Sequence, residues 1–322
     1  MAGSAIALAF AAAIFAQSAC AQGFPTRTVR IIVPNAPGGP TDIVARVVAQ
    51  KMAESMGQPV VVENRLGAGG VVGTESVARA APDGYTIMFS AAGAMVITPH
   101  LTSKLPYEPL RDFAPVALGA TAPMILIVPA NGAARSVAEL IAQAKAQPGR
   151  LNYATAGIGT PPHLGVELLK SMVQIDVVHV PYKGAPQADA ATISGEVTFM
   201  FTQPSIVAQA RAGKVRMLGI SSARRSSLAP DVPTIAESGV PGFEVTAWYG
   251  AFAPAKTPDA VLTRLNSEIV KTLQMQDVTD RLRSLGFEPP TSNTLAEFRS
   301  FVHAENAKWS KVVQEAGIKT DQ

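Results

Sequence analysis

PNAPGGPTD, residues 34–42, is the stretch of sequence on which the prediction of the fold depends. It follows an apolar segment from Val29 to Val33 and precedes a segment in which apolar residues recur every three or four positions from Ile43 to Met56. The first pattern predicts a buried strand, and the second predicts an amphipathic helix that ends at Gly57. The stretch is therefore predicted to be the turn of a strand–turn–helix unit.

This predicted turn concentrates polar backbone groups at one point. A helix that starts after a glycine-rich turn directs unpaired N–H groups and the positive end of its dipole at that point, which then binds anions. Gly38 and Gly39 let a ligand approach the backbone, and Thr41 and Asp42 can supply polar side chains or cap the helix. An ordinary capped turn explains the same residues, so this stretch alone leaves both interpretations open.

The composition of the whole chain is typical of a globular protein. Of its 322 residues, 48% are hydrophobic and 16% are charged, which is enough for a large core and two domains. The net charge is only +3, and no basic cluster with interleaved aromatic residues occurs, so we expect no nucleic-acid partner. Beyond the first residues no apolar run is long enough to span a membrane, and we expect a soluble mature chain.

The first residues have the pattern of a signal peptide. Ile6 to Phe15 is an apolar run, and the small residues around Cys20 fit a cleavage site before Gln22. We expect export to the periplasm with cleavage near Gln22, which would leave no cysteine and no disulfide. Lipidation of Cys20 is the alternative, but Gln17 stands where a lipidation motif has an aliphatic residue.

Strand and helix patterns alternate along the rest of the chain in two series. Further strands of the first series are predicted at Val60 to Glu63 and Tyr85 to Ser90, and the second series runs from Met124 to Ser221. This alternation predicts an α/β protein with parallel strands and right-handed crossovers. Three helical segments after residue 252 bring no strands for a third sheet, so we expect them to pack on the first lobe.

The two series define the predicted domains. We expect a signal peptide over residues 1–21, a first lobe formed by residues 22–121 and 248–322, and a second lobe formed by residues 122–247. Each lobe is expected to be a mainly parallel sheet flanked by helices. The chain would then cross between the lobes twice, near residues 121 and 247, and ligand sites favour such interfaces.

Motifs of enzymes and of cofactor sites are absent from the sequence. A GxGxxG motif that started at Gly67 would need a glycine where Val72 stands. The four histidines show no HxxxH or HExxH spacing, and neither GxSxG nor GxxxxGK[ST] occurs. We therefore expect no cofactor, no metal and no enzymatic activity.

Further predicted turns follow strands at the same edge of each sheet. Ser90 and Ala91 end the third strand, so they should lie at the carboxyl edge where ligands sit in open α/β sheets. In the second series, two turns follow strands and open helices, and their candidate donors are Gly157, Gly159, Thr160, Tyr182, Lys183 and Gly184. Two helix starts that face one in the first lobe would suit a molecule with two carboxylates. Ser90 can equally cap a turn, and Lys183 can equally be a solvated surface charge.

Eight segments become recognisable when they are taken in order: PNAPGGPTDIVAR, VVENRLGAGGVVG, APDGYTI, NYATAGIGTPPHL, HVPYKGAPQA, AGKVRMLGIS, LAPDVPTIAESGVPGFE and WYGAFAPAKTP. Their order resembles that of the Bug family of extracytoplasmic solute receptors, the substrate-binding proteins of tripartite tricarboxylate transporters. The resemblance covers nearly the whole chain from about Phe24.

The resemblance implies a type II periplasmic binding protein, a Venus flytrap that closes over a small organic acid. It implies ligand contacts from Pro37, Gly38, Gly39, Thr41 and Asp42 in the first lobe, and from Gly157, Gly159, Thr160, His163, Tyr182, Lys183 and Gly184 in the second. The ligand would be a carboxylate or dicarboxylate. The partner of the closed form would be a membrane permease or a sensor, and we expect a monomer.

The chain departs from the family pattern after the strand at Val197 to Phe201. Family members often carry an aspartate there, whereas this chain has Thr202 and Gln203. If position 202 touches the distal end of the ligand, a neutral side chain removes the partner of an ammonium group. Thr202 therefore predicts a carboxylate ligand without a required amine.

Two alternatives compete with a binding protein. An exported enzyme could act on a small organic acid in the same cleft, and its candidate acid–base pair would be Asp42 and His163. An exported adhesion or structural protein would bind no small ligand. The absence of catalytic motifs favours the receptor over the enzyme.

Overall fold

The structure is a computed structural model of the chain, and it describes residues 23–102, 104–157, 160–182 and 184–317. The predicted signal peptide, its cleavage site before Gln22 and the lipidation candidate Cys20 lie outside the described residues, as do Gly159 and Lys183. Among the described helices, none combines the length and the apolar character that a bilayer crossing requires.

The helices and strands are numbered here in chain order. The strands are β1 (Val29–Val33), β2 (Val60–Asn64), β3 (Thr86–Ala91), β4 (Phe113–Pro123), β5 (Ile125–Pro129), β6 (Asn152–Thr155), β7 (Val178–Pro181), β8 (Phe199–Thr202), β9 (Val215–Ile220) and β10 (Thr246–Pro254). The α-helices are α1 (Pro40–Met56), α2 (Val71–Ala78), α3 (Thr98–Leu101), α4 (Pro109–Asp112), α5 (Val137–Ala146), α6 (Pro161–Val173), α7 (Ala185–Ser194), α8 (Val207–Arg211), α9 (Asp259–Leu273), α10 (Gln276–Ser284) and α11 (Leu295–Ala316).

The first sheet has the strand order β2-β1-β3-β10-β4. β1 pairs in parallel with β2 and β3, whereas β10 is antiparallel to both β3 and β4. Helix α1 follows β1 as predicted, starts with Pro40 and ends at Gly57 in the left-handed conformation. It buries one face, including Val44 and Val48, in a core that it shares with β1 and α9. The apolar periodicity of the sequence therefore produces the packing that holds the first turn in place.

The second sheet has the strand order β7-β6-β8-β5-β9. β6 pairs in parallel with β7 and β8, and β5 is antiparallel to β8 and β9. The predicted α/β class with helices on both sheets is confirmed. The sheets are mixed rather than mainly parallel. β5 and β10 each enter their sheet from the other one, at the edge where the parallel strands end, so they must run in the opposite direction.

The chain passes between the two sheets at two adjacent places. Met124 separates β4 from β5, and Val245 directly precedes β10. Ser221, the residue after β9, joins these two crossings: its Oγ accepts a hydrogen bond from the N–H of Met124 and donates one to the carbonyl of Val245. Backbone hydrogen bonds from Ser221 to Met124 and from Val245 to Ser221 complete the connection. Both crossings therefore form one hydrogen-bonded hinge.

The C-terminal helices pack mostly where the sequence predicts. α9 and α10 pack against α1 on the first sheet, whereas α11 contacts both β4 and α6 of the second-sheet side. α11 begins with a capping box between Thr294 and Glu297, and near its end Glu315 accepts a hydrogen bond from Ser171. At its middle, Glu305 accepts hydrogen bonds from the indoles of Trp248 and Trp309. α11 therefore packs on β4 of the first sheet, as expected, and its 22 residues are long enough to reach α6 beside the second sheet as well.

Candidate functional site

The register of the strands decides which edges carry the candidate residues. β1, β2 and β3 are parallel, so the segments that follow Val33, Asn64 and Ala91 lie at one edge of the first sheet. Ala91 pairs with Tyr249, near the start of β10, so this is also the edge at which the chain returns from the second sheet.

The second sheet has the corresponding arrangement. β6, β7 and β8 are parallel, and Thr202 at the end of β8 pairs with Ile125 at the start of β5. The ends of these three strands therefore lie at the edge where the chain enters from the first sheet. The structure thus brings the predicted turns of both sheets to the edges that the crossings join.

The first turn, residues 34–42, is organised by a buried carboxylate. Asp42 is only 2% exposed, and its Oδ2 accepts hydrogen bonds from the N–H of Gly38 at 2.8 Å and from Nε of Arg46 at 2.9 Å. Its Oδ1 accepts a hydrogen bond from Nδ2 of Asn64 at 2.9 Å. Burial alone would raise the pKa of Asp42, but these hydrogen bonds outweigh it and hold the pKa below its usual value. Asp42 is therefore ionised and holds the backbone of the turn.

Two residues of this network are missing from the sequence prediction. Asn64 also donates to the carbonyl of Asn35 at 3.0 Å, and Nη2 of Arg46 donates to Oδ1 of Asn64 at 2.9 Å. The sequence contains a signal for each: Arg46 is four residues after Asp42 on a helix, and Asn64 ends a strand at the site edge.

The other predicted residues of the first turn lie close to this network. Pro37 and Gly38 are exposed and Gly39 is half-buried, whereas Thr41 is buried at the start of α1. Gly38 has a φ of +75°, which favours glycine, and an added Cβ would meet nothing within 4 Å. Gly39 is the N-cap of α1, and no side chain caps this helix. The N–H groups after Pro40 therefore point out of an uncapped helix start, as an anion site requires.

Ser90 and Ala91 lie at the end of β3, beside the first turn. Ser90 is fully buried, and its Oγ has no hydrogen-bond partner among the described residues. Ala91 is half-buried. A buried hydroxyl without a partner is costly, so the Oγ of Ser90 stands out at the edge of the sheet that carries the first turn.

The second turn, residues 155–163, is held by hydroxyl groups. Oγ1 of Thr155 accepts from the N–H of Gly157 at 3.1 Å, and Oγ1 of Thr160 donates to the carbonyl of Gly157 at 2.7 Å. Gly157 has a φ of +127° and is partly exposed. Helix α6 starts with Pro161 and Pro162, so its first turn has fewer N–H donors than the sequence prediction assumes.

His163 lies beneath the second turn in a stack of rings. It is 5% exposed, and its ring centroid is 4.2 Å from that of His179. Nε2 of His179 is 2.6 Å from Oγ1 of Thr155, which links the stack to the turn. Burial lowers the pKa of His163, and burial together with His163 lowers the pKa of His179 to about 4. The structure therefore places His163 as a neutral support of the turn.

The third turn connects β7 to α7 and contains Tyr182 and Gly184. Gly184 is the N-cap of α7 without a side-chain cap. The hydroxyl of Tyr182 donates to Glu196 at 2.9 Å, and the N–H of Tyr182 donates to the carbonyl of Thr155. The third turn is thereby tied to the second.

Thr202 has a partner that the sequence prediction misses. Thr202 is 2% exposed, and its Oγ1 donates to Oδ1 of Asp189 at 2.6 Å. Burial raises the pKa of Asp189. The sequence contains a signal that could have identified this partner, because Asp189 is the only charged residue in the segment Ala185–Ser194. A carboxyl group therefore lies beside position 202 although the residue there is neutral.

The protein has two α/β sheets, and polar turns lie at the edges where the chain crosses between them. This arrangement defines the class of two-lobed solute-binding proteins. The sequence model described as "Tripartite tricarboxylate transporter family receptor" matches residues 44–318. The chain belongs to this family of receptors. The resemblance found in the sequence is confirmed, and so is the prediction of a receptor and not an enzyme.

Curated relatives match this chain over nearly their whole length. The UPF0065 protein in the tcbD-tcbE intergenic region of Pseudomonas sp. (strain P51) is 40% identical over 304 residues, which are 93% of this chain and 89% of the relative. Protein BugT of Bordetella pertussis is 36% identical over 316 residues, which are 98% of this chain and 97% of the relative.

Solved structures share the fold. R. palustris Rpa4515 with adipate has a TM-score of 0.78 and 35% identity, covering 92% of this chain and 99% of the other. MatC from Rhodopseudomonas palustris with bound malate has a TM-score of 0.74 and 38% identity, covering 90% and 100%. The periplasmic binding protein BugD has a TM-score of 0.74 and 35% identity, covering 92% and 99%. This chain is thus similar to a periplasmic binding protein and to two proteins whose structures contain adipate and malate.

Proposed function

We propose that this receptor captures a small organic acid, a carboxylate or dicarboxylate, in the periplasm between two lobes. Lobe 1 comprises residues 22–121 and 248–322, and lobe 2 comprises residues 122–247. The observation that carries the proposal is the uncapped start of α1, where Asp42 holds Gly38 in a turn at the edge of the first sheet. Adipate and malate are bound by two similar proteins, which supports the same ligand class here.

The residues of the predicted site take two kinds of role in this proposal. Ligand contacts come from Pro37, Gly38, Gly39, Thr41, Ser90 and Ala91 in lobe 1 and from Gly157, Gly159, Thr160, Tyr182, Lys183, Gly184 and Thr202 in lobe 2. Asp42 and His163 are positioning residues, because the carboxylate of Asp42 is engaged within its turn and His163 is buried in a stack. Their separate surroundings also argue against an acid–base pair.

Capture proceeds in two steps. The carboxylate first binds to the N–H groups at the start of α1 in lobe 1. Lobe 2 then closes about the hinge at Ser221, so that donors of the second and third turns reach the ligand. A ligand favours the closed form only through contacts that the open form lacks, so groups of both lobes are needed.

The closed receptor presents a surface to a partner. A membrane permease is the partner that the family description supports, and a sensor is the second candidate. The receptor acts as a monomer after export with cleavage near Gln22. Retention of the N-terminal segment in mature protein from periplasmic extracts, measured by intact mass, would contradict the export route.

Binding is tested by calorimetry and thermal melting of the purified protein with mono-, di- and tricarboxylates, adipate and malate included. An acid at about 100 times its Kd should stabilise the folded protein by roughly 2.7 kcal/mol. Mass spectrometry of the bound acid after incubation should find it unchanged. A new product would support the exported enzyme, and no stabilisation by any organic acid would overturn the proposal.

A further inference from the structure

The carboxyl group of Asp189 lies at the site edge of the second sheet. Its Oδ1 accepts the hydroxyl of Thr202 at 2.6 Å, and Thr202 ends β8 opposite Ile125, the first residue after the crossing. Asp189 sits in the first half of α7, whose start carries the third turn. The strand end, the helix start and the crossing thus place this carboxyl group beside the candidate ligand site.

The pair formed by Asp189 and Thr202 offers acceptors and no donor. Thr202 has a single hydroxyl hydrogen, and it is donated to Asp189. An ionised carboxylate only accepts hydrogen bonds. Within the described residues no salt bridge involves Asp189, and its half-buried position raises the pKa of its carboxyl group. Its negative charge is therefore not neutralised by a neighbouring cation of the described chain.

We propose that Asp189 and Thr202 form a distal subsite that selects acids whose far end carries a hydroxyl or an ammonium group over acids with a second carboxylate. This inference rests on the proposed function. It replaces the expectation drawn from Thr202 alone, because Asp189 supplies the negative charge that position 202 lacks. Acids with a distal amine are then accepted as well.

The physical basis is a difference in affinity between two ligands of equal length. A second carboxylate that approaches Asp189 and Thr202 meets a like charge and no donor from this pair, whereas a hydroxyl or ammonium group donates to the carboxylate of Asp189. Two like charges a few ångströms apart repel each other near a protein surface. Dissolved salt reduces this repulsion only weakly, because the separation is shorter than the Debye length. We expect the preference to be about tenfold or more.

The test compares three six-carbon acids, namely adipate, 6-hydroxyhexanoate and 6-aminohexanoate, together with the corresponding five- and four-carbon acids. Calorimetry at pH 8 measures each Kd for the wild-type protein, for Asp189→Asn and for a control, Asp176→Asn. Asparagine retains an oxygen that accepts from Thr202, so the fold should persist, and thermal melting checks this. Asp176 is exposed and precedes β7 at the opposite edge, so its variant removes the same charge from the same lobe.

In the wild type and in Asp176→Asn, the ω-hydroxy or ω-amino acid should bind about tenfold or more tightly than the dicarboxylate of equal length. In Asp189→Asn this ratio should fall by about tenfold, mainly because the dicarboxylate binds better. An unchanged ratio in Asp189→Asn, with binding retained, would overturn the distal subsite and leave the proposed function intact. A wild-type protein that prefers the dicarboxylate would do the same, whereas failure of all these acids to bind would count against the proposed function itself.

Discussion

The first turn and the second turn occupy equivalent places, each between the end of a strand and the start of a helix, but different chemistry holds them. In the first turn an ionised carboxylate, Asp42, accepts hydrogen bonds from Gly38, Arg46 and Asn64. In the second turn neutral groups hold the backbone, since the hydroxyl of Thr155 accepts a hydrogen bond from the N–H of Gly157 and is hydrogen-bonded to the neutral ring of His179.

This difference has a consequence for the two lobes. A carboxylate with a pKa below its usual value stays ionised over the whole range in which proteins are stable, so the first turn keeps its geometry. The second turn depends on histidines that are neutral only above a certain pH. The first turn thus keeps its support over this pH range, whereas the support of the second turn responds to acid.

The largest expected effect is on ligand binding when Gly38 is replaced. Gly38 and Gly57 lie at opposite ends of α1, with φ of +75° and +65°, and an added Cβ at either meets nothing within 4 Å. Gly38→Val and Gly57→Val should therefore lose similar stability, about 1–3 kcal/mol. Only Gly38→Val should weaken carboxylate binding, by at least about tenfold, because only Gly38 lies at the proposed contact. Calorimetry and thermal melting measure the two quantities, and equal affinities in the two variants would rule out the first turn as the capture surface.

The next effect concerns the charge that organises the first turn. Asp42→Asn leaves Arg46 without its ion pair and turns one acceptor into a donor, so we expect a loss of about 2–3 kcal/mol in the free energy of unfolding and weaker ligand binding. Asp112 is a matched control, because its carboxylate also accepts a backbone N–H, from Glu108, and pairs with an arginine, Arg111, at α4. Asp112→Asn should lower stability in urea unfolding and leave affinity unchanged. A similar loss of affinity in both variants would show that Asp42 acts only through general stability.

The smallest effect concerns acid and the second turn. The pKa of His179 is lowered from 6.5 to about 4 in the folded protein, so the unfolded chain binds more protons between these values. The stability contributed by the neutral ring is complete above pH 6.5 and is lost as pH falls through about 4, by about 1–2 kcal/mol after allowance for solvent screening of a half-buried ring.

Urea unfolding at pH 7 and pH 4.5 measures this effect. His179→Gln should reduce the loss between the two pH values relative to the wild type, whereas His303→Gln, a change of an exposed histidine, should leave it as it is. If His179→Gln retained the full wild-type loss, the second turn would not be the acid-sensitive part of the site.

Much of the fold could be predicted from the sequence, because it depends on local patterns. The apolar periodicity of α1 and the alternation of strands and helices identify the two sheets and their crossings. The direction of β5 and β10 could not be predicted in this way, since an apolar strand carries no local mark of its direction. Their antiparallel pairing follows from where the chain enters each sheet.

The positions of the turns that form the site could be predicted from the sequence, but the roles of their individual side chains could be predicted less well. Gly38 and Gly157 could be identified because a positive φ favours glycine, so a glycine in a predicted turn indicates such a position. Asn64 is 22 residues from Asp42, and Asp189 is 13 residues from Thr202. Only the folded chain shows that the members of each pair form a hydrogen bond. Whether a polar side chain faces the ligand or supports a turn depends on such distant partners.

The sequence by itself determined the α/β class, the receptor family and the strand–turn–helix unit at residues 34–42, because periodicity, glycine positions and turn chemistry act over a few neighbouring residues. Only the tertiary structure decided that Asp42 is a support of the turn, that His163 is stacked on His179, and that a carboxyl group stands beside Thr202. These assignments rest on burial and on hydrogen bonds between distant residues, and neither exists before the chain is folded.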